Sequence, residues 1–293
     1  MRVLVTGATG FTGSYVARKL AGAGHSVACF VRPTSDRSPL DDLPVEFSTG
    51  TFEEPETLQA ALKGADALVN VASLGFGHGP NVLGALAGAG VRRAVFFSTT
   101  SIYTKLNPKS KSVRLTAEEA IMSSDLDWTL VRPTMIYGSR RDRNMFQLIR
   151  FLRKYPVMPV PGPGKNLQQP VYVEDLADAV LAVLNTPGTA GWSYNLAGAE
   201  PLTFDEVIDT TARHLGRSVR KLHLPYRLSL AGVSAAGRLL KRAPLSAEQI
   251  LRLNEDKAFD ISDAKRDFGY APLTFSEGIR REIESLGWAA PAG

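Results

Sequence analysis

The chain has 293 residues, of which 44% are apolar and 22% charged, with a formal net charge of +5. That length and balance fit one large α/β domain, or one domain with a smaller appendage, and exclude a disordered or fibrous chain. The positive charge is too thinly spread for the basic stripe with interleaved aromatics that a nucleic-acid surface needs. Its densest cluster, Arg140, Arg141 and Arg143, reads as solvated charge with at most one anion site.

In chain order, short β-branched runs alternate with helical patterns. Strands are predicted at 2–6, 26–31, 45–48, 66–71, 93–98 and 127–131, mostly as near-continuous apolar runs buried on both faces. Helices are predicted between them near 11–22, 55–63, 80–89 and 114–124; the second opens with Pro55 among acidic neighbours, as a helix N-terminus prefers. Six strands with crossover helices imply a doubly wound, parallel Rossmann-type α/β sheet with helices on both faces. After about residue 138 the pattern loosens into a helix near 142–154 and a Pro/Gly-rich loop, VMPVPGPGKN. A helix near 174–185, a strand in WSYNLAG and a helix opening at Thr203 follow. The expected division is a dinucleotide-binding domain over 1–138 and a smaller α+β substrate lobe over 139–293, interleaved with the first.

The strongest chemical signal is VTGATGFTG, in which Gly7, Gly10 and Gly13 directly follow a strand and open a helix. The turn must be tight, the backbone must approach a pyrophosphate, and the helix must pack closely on the strand; each demand removes a side chain. The N–H groups of Phe11 and Thr12 then face the diphosphate, with Thr9 also in the turn. The second strand ends Phe30-Val31-Arg32-Pro33-Thr34-Ser35, with no carboxylate before Asp36 to bind ribose hydroxyls. Arg32, helped by Thr34 and Ser35, suits a 2′-phosphate, which favours NADP(H) over NAD(H).

These residues support a family. The sequence resembles extended and atypical short-chain dehydrogenases, the group of nucleotide-sugar epimerases and dihydroflavonol reductases. The matching segments run through nearly the whole chain: VTGATGFTG, the stretch FVRPTSDRSPL through ADALVNVAS, VFFSTTSIY, LVRPTMIYG, QPVYVEDLADAV, YNLAG and FDISDAKRDFGYAP. The resemblance implies that Asn70, Val71, Ala72 and Ser73 lie beside the nicotinamide ribose, with Ser98 also in the cofactor set. It implies that Pro133 and Thr134 approach the nicotinamide through their backbone. Thr51 stands where the family commonly has an aspartate reading the adenine, so adenine recognition falls to Phe52 and backbone groups.

A larger departure concerns catalysis. The family's proton donor is a tyrosine with a lysine four residues later, on the helix after the fifth strand. The corresponding stretch, KSKSVRLTAEEAIMSS, holds no tyrosine. Depending on whether Glu118 or Glu119 matches the family's glutamate, the two positions are Ser110 and Arg114 or Lys111 and Leu115, and neither pair can do tyrosine–lysine chemistry. The family's serine/threonine survives as Thr99, which reads equally well as a hydroxyl capping a strand end. Tyr103, four residues on, is the candidate substitute acid, although the family usually has a tyrosine there without using it as the acid, which favours packing or substrate contact. Tyr137, Arg140, Asn144, Gln168 and Tyr172 are expected to enclose a substrate against the nicotinamide.

No metal site is expected, because His25, His78, His214 and His223 are scattered without ligand spacing. His78, in SLGFGHGP, is the one histidine placed near the expected site. The single Cys29 lies in an apolar run and fits a buried position in a reducing cytoplasm. The N-terminus enters a strand at once without a signal pattern, and no apolar run approaches the ~20 residues of a membrane span. The expected partners are therefore a small-molecule substrate, no nucleic acid and no membrane insertion, in a monomer or homodimer. An NADP-dependent oxidoreductase acting on a carbonyl or hydroxyl compound is the leading expectation. A non-catalytic NADP(H)-binding sensor or accessory protein stands close behind, supported by the likeness of QPVYVEDLA to such proteins of respiratory complex I. A nucleotide-sugar epimerase or dehydratase, which also depends on the tyrosine, comes third.

Overall fold

The apolar runs of the first half pair side by side into one parallel sheet. In the computed structural model, which describes residues 1–106, 108–230 and 247–289, the strands are β1 (Arg2–Thr6), β2 (Ser26–Val31), β3 (Glu46–Thr49), β4 (Ala67–Asn70), β5 (Arg93–Phe97) and β6 (Asp127–Pro133). Helices α1 (Phe11–Gly22), α2 (Pro55–Leu62), α3 (Gly79–Ala89) and α4 (Lys109–Met122) connect them, with a 3-10 turn over Ser38–Leu40 between β2 and β3. Alternation along β1 sends Val3 and Val5 to one apolar layer and Leu4 to the other, which is how one strand serves two cores. The sheet runs β11-β6-β5-β4-β1-β2-β3, where β11 is Trp192–Leu196. The chain therefore reverses direction across the sheet between β1 and β4, and the crevice at their C-terminal ends is where such folds take ligands.

The seventh strand, β11 (Trp192–Leu196), differs from the predicted organisation. It pairs in parallel with β6, Trp192 opposite Thr129 and Leu196 opposite Pro133, and completes the main sheet. Helix α6 (Val173–Asn185) packs against α1, and Lys19 and Asp178 form an ion pair between them. The second half of the chain thus supplies one strand and one helix to the Rossmann layer. Tyr270, after helix α9 (Ser262–Phe268), also enters that layer and donates its hydroxyl to the Ala197 carbonyl at 2.9 Å.

The rest of the second half builds a separate apolar cluster. It gathers the short strands β7 (Ile136–Tyr137) and β10 (Val171–Tyr172) with helices α5 (Met145–Lys154), α7 (Phe204–His214) and α10 (Phe275–Ser285). Around it lie β9 (Leu167–Gln168), β12 (Leu202–Thr203) and helix α8 (Ala247–Leu253). Thr203 caps α7 through a capping box with Glu206, the start its sequence announced. The predicted Pro/Gly-rich loop is partly strand: β8 (Val157–Pro161) pairs in parallel with β13 (Arg220–Leu224) in a two-stranded ribbon. Prolines at 159 and 161 are tolerated there because each strand has an unpaired edge. Helix α4 begins at Lys109, not near 114; its first turn is polar and carries no apolar period to announce it.

Candidate functional site

The glycine turn is held against the end of β4. Gly7 has φ +67, and a Cβ there would meet the Ala72 nitrogen at 2.9 Å, while a Cβ on Gly13 would fall 2.1 Å from the Gly7 carbonyl oxygen. Thr6 Oγ1 donates to Asn70 Oδ1 at 2.7 Å and Asn70 Nδ2 donates to the Ala72 carbonyl at 3.1 Å, which fixes the two strand ends together. Gly10 caps α1 without a side chain. The first-turn N–H groups of Phe11, Thr12 and Gly13 have no acceptor one turn back and point out of the helix end. A backbone cradle of this kind, closed to any Cβ, fits the diphosphate of a dinucleotide.

At the end of β2, Arg32 is exposed, and its guanidinium has no hydrogen bond or ion pair among the described residues. The Ser35 hydroxyl accepts the Arg32 N–H at 3.2 Å, shaping the loop that carries Arg32 and Thr34. Asp36, the first carboxylate after the strand, accepts from the Ser38 N–H at 3.0 Å and so turns into its own loop; these bonds hold its pKa below the ordinary range. Thr51 exchanges bonds with Thr57 through its backbone. Phe52 stacks on His78 with ring centroids 5.0 Å apart, beside a narrow crevice that Ala72 and Ser73 also line. His78 thus belongs with Phe52. Ser73 Oγ caps the turn that follows by accepting from the Gly75 N–H, and Val71 N–H bonds the Thr6 carbonyl.

Beyond β5, the Ser98 hydroxyl is buried without a partner among the described residues. Thr99 Oγ1 accepts the Ser101 N–H at 3.2 Å, so it caps the 3-10 turn Thr100–Tyr103 and keeps its own hydrogen to donate. Tyr103 is half exposed and lies against Phe259 with centroids 5.8 Å apart, its hydroxyl near enough to the Arg132 guanidinium for their fields to interact. Pro133 gives its carbonyl to the Thr100 hydroxyl at 3.3 Å, and Thr134 donates to the Gln169 carbonyl at 2.5 Å.

Burial settles the phase of α4. Glu118 is 2% exposed and grips Arg132 through Nε and Nη2, the shortest contact being 2.6 Å. One turn earlier on the same face, Arg114 is partly buried with its guanidinium against Gly75, where an added Cβ would come within 2.9 Å of it. Burial and the nearby charge of Arg252 pull the Arg114 pKa down, without making a guanidinium a proton donor. Leu115 is exposed on the other side, and the Lys111 ammonium donates to the Thr104 carbonyl at 2.6 Å. Ser110 and Arg114 therefore stand on the inward face.

The expected substrate residues separate. Tyr137 is 1% exposed and packs edge-on against Tyr172, with Phe275 on its other side. This is core packing, which corrects the expectation that the two phenols face a substrate, and burial raises the pKa of both. Gln168 is also buried, and its oxygen accepts from Lys257 at 3.2 Å. Arg140 opens onto a different space, with Ser14, Tyr15 and Arg18, and Asn144 is exposed at the start of α5. The residues that meet Tyr103 and the two positions after it come from further along the chain, Phe259 against the Tyr103 ring and Glu255 on Thr104 and Lys105. Glu255 accepts from Thr104 Oγ1 at 2.6 Å and from the Lys105 N–H at 2.7 Å, and burial pushes Lys257 down to about 8. Phe259 opens the FDISDAKRDFGYAP segment, but nothing local in that segment announces its contact with Tyr103. Cys29 is buried, and burial pushes its thiol up to about 12. Among the described residues there is no group of side chains suited to a metal ion, and no helix long and apolar enough to cross a membrane.

Comparison with known proteins agrees with this architecture. Residues 7–187 match a family described as NAD(P)H-binding. The chain is 30% identical over 251 residues to a ceramide reductase of Caulobacter vibrioides, covering 81% of this chain and 77% of that protein. It is 26% identical over 279 residues to the mitochondrial NADH dehydrogenase [ubiquinone] 1 alpha subcomplex subunit 9 of Arabidopsis thaliana, covering 87% of this chain and 68% of that one. The crystal structure of UDP-glucose 4-epimerase from Thermotoga maritima superposes with a TM-score of 0.77 at 18% identity, over 98% of this chain and 99% of that one. The glycine turn, the parallel sheet and these matches make one case: the chain belongs to the NAD(P)H-binding family, with the fold of the UDP-glucose 4-epimerase structure.

Proposed function

We propose that this protein is an NADP(H)-dependent oxidoreductase acting on a carbonyl or hydroxyl group of a small molecule without a tyrosine–lysine dyad. The observation that carries the reading is what stands at the C-terminal ends of β4 to β6: Arg114 against Gly75, Thr99 with a free hydroxyl hydrogen, and Tyr103 half exposed against Phe259. Bound NADPH supplies the hydride for the carbonyl carbon. The chain's task is the oxygen. Thr99 donates a hydrogen bond to it, Arg114 offsets its developing negative charge, and Tyr103 delivers the proton. The preference for the phosphorylated coenzyme rests on Arg32, whose charge has no protein partner, and on Asp36, whose carboxylate is occupied by Ser38. The reductase name of the 30% identical relative favours the same reaction class.

A second reading is a protein that holds NADP(H) without turnover, as an accessory or sensor. Serine and arginine at the inward dyad positions favour it, as does the likeness to the plant NADH dehydrogenase subunit. The epimerase/dehydratase reading requires the missing tyrosine and ranks below both. The deciding experiment follows NADPH absorbance with purified protein across a panel of carbonyl compounds, beside Thr99→Ala and Tyr103→Phe. Turnover reduced at least about tenfold by either substitution supports the enzyme, since a lost general acid or hydrogen-bond donor costs that much or more. Saturable NADPH binding with no oxidation across the panel overturns it in favour of the second reading.

A further inference from the structure

The arginine cluster of the sequence has no part in the cofactor reading. Two of its members, Arg140 and Arg141, enter a cavity of about 370 Å³ on the flank of α1, where Ser14, Tyr15, Arg18 and Ser139 also line the wall. No carboxylate lines it. Arg18 is already neutralised, forking onto Asp42 at 2.6 and 2.8 Å. Arg141 spends two N–H groups on neutral acceptors, the Ser14 hydroxyl at 3.1 Å and the Thr9 carbonyl at 2.5 Å. Among the described residues neither Arg140 nor Arg141 has a carboxylate within 4.0 Å, and the Arg140 guanidinium has no hydrogen bond. Of the acids whose fields reach this wall, Asp36 is committed to Ser38, Glu174 faces Arg281 at 3.7 Å, and Glu282 carries a proton because burial and Asp142 push it up to about 10. Two guanidinium charges thus share a concave space that no carboxylate lines, with the Asp36 anion reaching Arg141 only through its field.

We propose that this cavity is a second anion site, apart from the cofactor crevice, that takes the phosphate or pyrophosphate group of a phosphorylated small molecule. A planar guanidinium offers paired donors that match phosphate oxygens, and Arg140 has all of its donors available. The volume lies in the range of small-molecule pockets. The Tyr15 and Ser139 hydroxyls add neutral groups at the rim. Arg141 links the cavity to the cofactor turn, because the carbonyl it holds belongs to Thr9 between Gly7 and Gly10. An anion on Arg141 therefore acts on the loop that receives the diphosphate, and linkage makes any such effect reciprocal.

The test is calorimetric titration of the full chain with pyrophosphate, alone and saturated with NADPH or with NADH. The expected result is one saturable site that persists with either coenzyme bound and weakens at least tenfold in Arg140→Gln. That exposed substitution should leave Tm and NADPH affinity unchanged. Parallel titrations with inorganic phosphate and AMP separate the sources. Tighter AMP binding assigns the site to a nucleotide and equal binding to free phosphate, and both uphold it. Absence of saturable binding overturns the proposal, as does binding indifferent to Arg140→Gln. Pyrophosphate uptake abolished by NADPH but kept with NADH also overturns it, because the cavity would then be the seat of the coenzyme's own 2′-phosphate.

Discussion

Helix α10 carries Glu282 into the second core, where it is 0% exposed and faces Asp142 from the connection between β7 and α5. Asp142 Oδ1 is used by the N–H groups of Asn144 and Phe146 at 3.1 and 3.0 Å, whereas Asp142 Oδ2 and both Glu282 oxygens receive no donor from the described residues. One proton satisfies that arrangement. Burial and the Asp142 charge put it on Glu282, pushed up from 4.5 to about 10. Between those values the folded protein keeps a proton that the unfolded chain has released. The contribution is complete below the unfolded value and is lost as pH rises, by up to ~1.4 kcal/mol per pH unit. From about pH 5 to about pH 8 the loss reaches ~4 kcal/mol, on the order of 10 °C in Tm for a chain of this size. Glu282→Gln should remove most of that slope, because an amide donates to Asp142 at every pH. Asp175, pushed up to about 6 by burial, slopes the same way, so the two Tm-against-pH curves must be compared directly. Curves for wild type and variant that run parallel across this window would refute the shared-proton account.

Three further outcomes are expected. Arg32→Ala should weaken NADPH binding by ~10–100-fold, the worth of a charge-assisted contact, and leave NADH within about twofold; equal losses in a fluorescence titration would contradict the coenzyme preference. Glu118→Ala should lower stability by ~3–5 kcal/mol in a denaturant titration, because it strands a guanidinium that is 13% exposed; a change under about 1 kcal/mol would mean that Arg132 finds another partner. Lys257→Met removes an ammonium that burial has pushed from 10.5 down to about 8, a depressed value whose cost is felt at lower pH and fades as pH climbs towards the unfolded value. The variant's Tm relative to wild type should therefore improve from about pH 10 to about pH 7, and a difference independent of pH would rule out that burial.

The cofactor end was legible because its constraints are local. A strand, three glycines and a helix start lie within 13 residues, and each glycine answers a steric demand visible in its own neighbourhood. The seventh strand was not placed in the sheet, because β11 reaches β6 across more than 50 intervening residues and its own pattern does not name its neighbour. Strand β8 was hidden by its prolines, which read as loop until an edge pairing with β13 makes them admissible. The substrate side failed for a different reason. A tyrosine on an apolar strand serves equally as a wall of a pocket or a piece of core. For Tyr137 the choice is made by Phe275, 138 positions later. The phase of α4 was ambiguous between Glu118 and Glu119 for the same reason, and burial of Glu118 against Arg132 decides it.

That phase bears directly on the chemistry. With Glu118 inward, the charged group one turn earlier is Arg114, which keeps its positive charge at any working pH and passes no proton. In the proposed reaction a proton must then leave from Tyr103, or from water relayed at Thr99. The alternatives differ in their dependence on one phenol. Tyr103 sits half exposed against Phe259, so Tyr103→Phe removes the hydroxyl and leaves the ring contact. Turnover lost in that variant with NADPH affinity intact assigns the proton to the phenol. Turnover retained, but lost in Thr99→Ala, assigns it to solvent, and Arg114 is then the fixed charge that steadies the substrate oxygen while water supplies the proton.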